Sequence, residues 1–175
     1  MTGLLSGEIS SVAEFLAHAL EMEAESVERY RELAENMEVH NNSEVAVLFH
    51  RLAAEGDAHA EHVKRRAGMY KLPSIAPWDF KWTSPDAPES VAMGDVHYLM
   101  SRRQALELAL HNEIRGQDFY TQVAESSLSA EVQCIAKEMA GEEGAHVTML
   151  REWLAKEADK LQLPLADLDP PNMPE

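Results

Sequence analysis

The chain repeats itself at long range, and no other feature of the sequence restricts its fold as much. Residues 14–35 laid on residues 104–125 coincide at seven of 22 positions, among them Leu16/Leu106, Ala19/Ala109, Glu23/Glu113, Tyr30/Tyr120 and Ala34/Ala124. At an offset of 87, the stretch after the first copy meets the stretch after the second through Val45/Val132, Ala53/Ala140, Glu55/Glu142, Ala58/Ala145 and His59/His146. Within each copy apolar residues return every three or four positions, which places them on one face of an α-helix. No stretch shows the strict alternation of a half-buried strand. The pattern predicts an all-α protein made of one helical hairpin used twice.

Helices are expected over about 11–36, 43–67, 101–126 and 129–159. Ser11-x-x-Glu14 and Ser101-x-x-Gln104 have the form of capping boxes, in which two side chains satisfy the free N–H groups of a first turn, and Gly68 suits a helix end. Between 68 and 100, Pro73, Pro77, Pro85 and Pro88 exclude one continuous helix, leaving room for a short one around Val91 to Met100. Trp78, Phe80 and Trp82 in that stretch are expected to cover the bundle or a dimer contact. Short, long and short connections give two antiparallel hairpins joined by a crossover, the layout of a four-helix bundle with one long connection. A chain of 175 residues suits a single domain, expected over 1–160, with 161–175 as a disordered tail.

Composition removes several classes of function. A formal net charge of −16 opposes a general grip on nucleic-acid phosphates or anionic lipid, so nucleic acid is not an expected partner. The longest apolar run, Val45-Ala46-Val47-Leu48-Phe49, is far too short to cross a membrane, and no secretory leader is visible at the start, which reads as cytoplasmic. A single cysteine, Cys134, rules out a disulfide framework and any Cys-x-x-Cys module within this sequence, and it is expected to be a small buried residue. A metal held here needs histidine and carboxylate.

Those residue types stand where the core should be. Glu23, His59, Glu113, Glu143 and His146 all interrupt the apolar stripes. Buried charges are costly without partners, and three carboxylates with two imidazoles converging on divalent cations have their charge and lone pairs used. Glu143-x-x-His146 sets both side chains on one helical face, and Glu23 and Glu113 occupy equivalent places in the repeat.

From about Ser11 to Asp159 the chain resembles the ferritin-like superfamily, its rubrerythrin-type branch in particular, without a rubredoxin module. Such proteins hold two metal ions with a Glu from each of helices one and three and a Glu-x-x-His from each of helices two and four. The resemblance implies Glu23, His59, Glu113, Glu143 and His146 as metal ligands, two iron ions as cofactor with manganese or zinc also compatible, and Tyr30 and Tyr120 as hydrogen-bonding neighbours of the metals. It also implies a homodimer, and an external electron-donor protein if the centre is redox active. Two departures stand out. Gly56 occupies the position of Glu143, so three aligned carboxylates (−3) would face two divalent ions (+4). Glu55, four residues before His59, compensates if the helix deforms to turn it inward. Gly116, three residues after Glu113, stands where a further carboxylate belongs. His18, His40, His50, His97 and His111 are expected at the surface or core edge without metal; His62, three residues after His59, is placed to assist a metal but is expected to be solvated beside Glu61.

Three functions are open at this point. One is a diiron oxidoreductase acting on peroxide or dioxygen. The second is a non-redox metal-binding or iron-handling protein with an incomplete site, and the third is a metal-free interaction bundle whose inward Glu and His form a polar network.

Overall fold

The computed structural model of the protein describes residues 5–82, 87–89 and 96–158. Four helices account for most of them: α1 (Val12–Val39), α2 (Ser43–Ala67), α3 (Arg102–Ser126) and α4 (Ala130–Ala158). Among the described residues there is no strand, and no helix is long and apolar enough to cross a membrane. α1 runs along α2 and α3 along α4, as two hairpins. This is the four-helix bundle of two hairpins that the repeat and the connection lengths predict.

Local chemistry sets the helix ends. At Ser101 the full capping box forms, with Ser101 Oγ accepting from Gln104 N–H at 3.2 Å and Gln104 Oε1 accepting from Ser101 N–H at 2.8 Å. At Ser11 only the forward bond forms, from Glu14 N–H at 3.2 Å, because the Glu14 carboxylate is engaged by Lys81 Nζ at 2.5 Å. α1 continues three residues beyond the expected end at 36 because Met37 lies on its buried face, and the chain turns at Asn41 in the left-handed region, φ 59°. Asn42 Nδ2 then donates to the Met100 carbonyl at 2.8 Å, fastening the α1–α2 turn to the end of the crossover. Gly68 caps α2 with right-handed geometry, φ −59°, so its position does not depend on glycine's freedom at positive φ.

Two apolar clusters make the core. One gathers Phe15, Leu16, Ala19, Phe119, Val132 and Ala136, and the other Leu33, Ala34, Leu48, Phe49, Leu106 and Leu150. Each large side chain contributes roughly 2 kcal/mol by leaving water. Together they offset the cost of what lies between them, a layer in which Glu23, Ser26, Glu113 and Glu143 are all buried.

The crossover lies against α1. His18, expected at the surface or core edge, is fully buried and clamps it: Nδ1 donates to the Glu14 carbonyl at 2.9 Å, and Nε2 accepts the Lys81 backbone N–H at 2.9 Å. Its ring meets Phe80 and Trp82 edge-on at 5.0 and 5.1 Å. Trp82 covers the bundle, as anticipated, whereas Trp78 is 83% exposed. Residues 96–100 form a turn; the rest of the short helix expected from Val91, and the tail at 161–175, lie outside the described residues. Cys134 is exposed, not buried as its small size had suggested.

Candidate metal centre

Each helix delivers one side of the buried layer: Glu23 from α1, His59 from α2, Glu113 from α3, and Glu143 with His146 from α4. Both imidazoles turn Nδ1 toward carboxylates. His59 Nδ1 lies 3.3 Å from Glu143 Oε1 and 3.6 Å from Glu23 Oε1, while His146 Nδ1 lies 3.1 Å from Glu113 Oε2 and 3.6 Å from Glu143 Oε2. The two rings stand 4.5 Å apart. Glu143 is therefore central, one oxygen toward each histidine.

Ligand atoms converge in two overlapping groups, with all separations inside each group at or below 4.8 Å: His59, Glu143 and His146 in one, Glu23, Glu89 and Glu143 in the other. Glu143 belongs to both. Carboxylate oxygen and imidazole nitrogen are donors suited to iron, manganese or zinc. A further group, His62, Glu138 and Glu142, lies nearer the surface, where Arg66 already grips both Glu138 oxygens at 3.0 and 2.9 Å.

Electrostatics divide the layer into cations and anions. Hydrogen bonding to Glu143 and Glu23 raises the His59 pKa to about 10, and Glu113 with Glu143 does the same for His146, also to about 10. Burial opposes charge on Glu143, but the hydrogen bonds from His146 and His59 outweigh it and hold its pKa at about 2. Burial raises Glu23, and lifts Glu113 to about 7 against the hydrogen bond from His146.

Tyr120 donates to Glu23 Oε1 at 3.3 Å. Tyr30, stacked on Phe49, lines the cavity of the same layer, and its buried hydroxyl has no hydrogen-bond partner. Burial pushes both phenols well above their ordinary pKa. Glu55 borders the cavity, but its carboxylate accepts from Arg51 Nε at 3.1 Å and stands outside both converging groups. Gly56 faces α1 so closely that a Cβ there would lie 2.8 Å from Val27 Cγ2, which leaves a Glu at this position no path inward unless Val27 moves.

Glu89 was not anticipated. It comes from the crossover, is only 3% exposed, and has a buried Oε1 with no hydrogen bond. A loop residue has no periodic face to reveal it; the available signals were the missing side chain at Gly116 and the charge deficit of the aligned ligands. A cation would satisfy that orphaned oxygen, so the residues present fit a bound metal.

A family model described as Rubrerythrin matches residues 14–78, from α1 into the crossover. Over both hairpins the chain is similar to the solved structure of an uncharacterized conserved protein from Magnetospirillum magnetotacticum MS-1, at 37% identity and a TM-score of 0.67, covering 89% of this chain and 99% of that one. No curated protein matches it significantly. The chain belongs to one family with that protein, and its first hairpin carries the rubrerythrin pattern on a ferritin-like four-helix bundle.

Proposed function

We propose that the protein is a rubrerythrin-like diiron oxidoreductase that reduces peroxide or dioxygen. The observation that carries this reading is Glu143, whose carboxylate is common to both converging ligand groups, as a residue bridging two ions would be. Glu23, His59, Glu113, Glu143 and His146 would hold the pair, which when bound as iron would supply the two electrons that the oxidant takes up. The protein's own part is positional and protonic. The two apolar clusters flank the layer and leave Glu23, Glu113 and Glu143 buried, so its charges interact strongly. Tyr120 holds Glu23 in place, and the unpartnered Tyr30 hydroxyl is free to donate to an oxygen entering the cavity. Electrons for repeated turnover come from a separate donor protein, and the working unit is a homodimer.

Gly56 favours a second reading, in which metal is bound without turnover, because the carboxylate expected there is absent and a Cβ in its place would meet Val27. Anaerobic loading with Fe(II), followed by peroxide and optical detection of iron oxidation, separates the two. About two irons per chain with rapid peroxide-dependent oxidation, both lost in the Glu143→Gln/His146→Asn variant, is the expected result. Stoichiometric Fe(II) that peroxide does not oxidise would overturn the redox reading and leave the binding one.

A further inference from the structure

We infer that Glu89, carried by the crossover, is a metal ligand that replaces a side chain α3 lacks at Gly116. This rests on the metal-binding reading above. Gly116 lies three residues after Glu113 and so on the same helical face. A Cβ built on it would collide with Glu89 Oε1 and come within 3.1 Å of Cδ and 3.2 Å of Cγ. The space beside α3 is thus filled by a carboxylate that enters from outside the helices. On the α1 side Glu89 meets the Ser26 hydroxyl, and Ser26 is the position equivalent to Gly116 in the repeat. Arg115 donates to the Ala87 carbonyl at 3.1 Å, which fixes the crossover two residues before Glu89.

Ser26 meets the carboxyl group from one side, yet one of its two buried oxygens is left unserved. Glu89 Oε1 has no hydrogen bond. Its neighbours are Glu23 and Glu143, each offering an oxygen within 4.8 Å. Counting Glu23, Glu89, Glu113 and Glu143 gives four carboxylates, −4, against the +4 of two divalent ions, so the deficit left by Gly56 closes.

The full chain, its Glu89→Gln variant and the Glu89→Ala/Gly116→Glu double variant are loaded anaerobically with Fe(II), and separately with Zn(II), and metal per chain and affinity are measured by equilibrium dialysis and elemental analysis. Wild type is expected to hold about two ions, E89Q to lose one or bind it at least about tenfold more weakly, and the double variant, with its carboxylate returned to α3, to recover it. Two ions held with equal affinity by wild type and E89Q would overturn the role of Glu89 alone. A wild type that binds none would overturn the metal reading and this one together. Should E89Q fail to fold, Glu89→Asp, which keeps the charge but withdraws it by one methylene, is judged by the same criteria. Protease sensitivity of the crossover is a second readout: metal should protect it in wild type and not in E89Q, and equal protection in both counts against the inference.

Discussion

Lys81 gives its backbone N–H to His18 Nε2 at 2.9 Å, and this bond requires a neutral imidazole. Burial lowers the His18 pKa below its ordinary 6.5. The unfolded chain therefore takes up a proton first as pH falls, and the stability tied to neutral His18 is complete above about pH 6.5 and lost progressively below it. In urea titrations between pH 8 and 5.5, wild type should weaken with acid more steeply than His18→Asn. At pH 8 the variant should be less stable by about 1–3 kcal/mol. Parallel pH slopes would show that another group titrates.

Metal uptake should release protons. His59 and His146, each with a pKa of about 10 in the metal-free protein, are protonated at neutral pH, and ligation through nitrogen requires their loss. Adding Zn(II) at pH 7 in weak buffer with an indicator dye should release at least about two protons per chain, and apparent affinity should rise with pH. In metal-free protein the same pair predicts the opposite trend in stability, which is full below about 6.5 and declines as pH rises through about 10.

Gly116→Ala should invert a general rule. Mid-helix Gly to Ala ordinarily stabilises by about 1 kcal/mol. Here the new Cβ meets the Glu89 carboxylate, so the single substitution is expected to destabilise, and in a Glu89→Ala background it should stabilise again. Denaturant midpoints of the four proteins give the sign directly, and a stabilising single substitution would show that Glu89 does not press on α3.

The two equivalent tyrosines should differ. Tyr120→Phe removes a hydrogen bond to Glu23 and should cost about 1 kcal/mol in the metal-free protein. Tyr30→Phe removes a buried hydroxyl with no partner and should leave the melting temperature unchanged or higher, while slowing oxidation of bound Fe(II) by peroxide. Equal melting temperatures for the two variants would contradict this difference.

The hairpin duplication and the five inward residues were legible because each depends on helical periodicity. A charged residue on an apolar stripe is visible in sequence, and its recurrence in the second copy makes chance a poor explanation. What sequence left open lay off the helical faces or turned on a particular partner. Glu89 stands in a crossover with no period, and Gly116 marked its place only as a gap. Glu55 has the correct spacing to His59, but Arg51 one turn earlier takes its carboxylate. His18 lies on the apolar stripe, yet the partner that explains it, Lys81, is 63 residues away. Cys134 falls on the outer side of α4, which its size could not disclose.

Ser26 and Gly116 are a single position written twice by the repeat, and two such halves alone would make an interior with approximate twofold symmetry. The crossover passes only once. By inserting Glu89 between the pair it makes the two halves unequal. A sequence built by copying thus encloses a centre with a front and a back, whose direction is set by the one segment that was never copied.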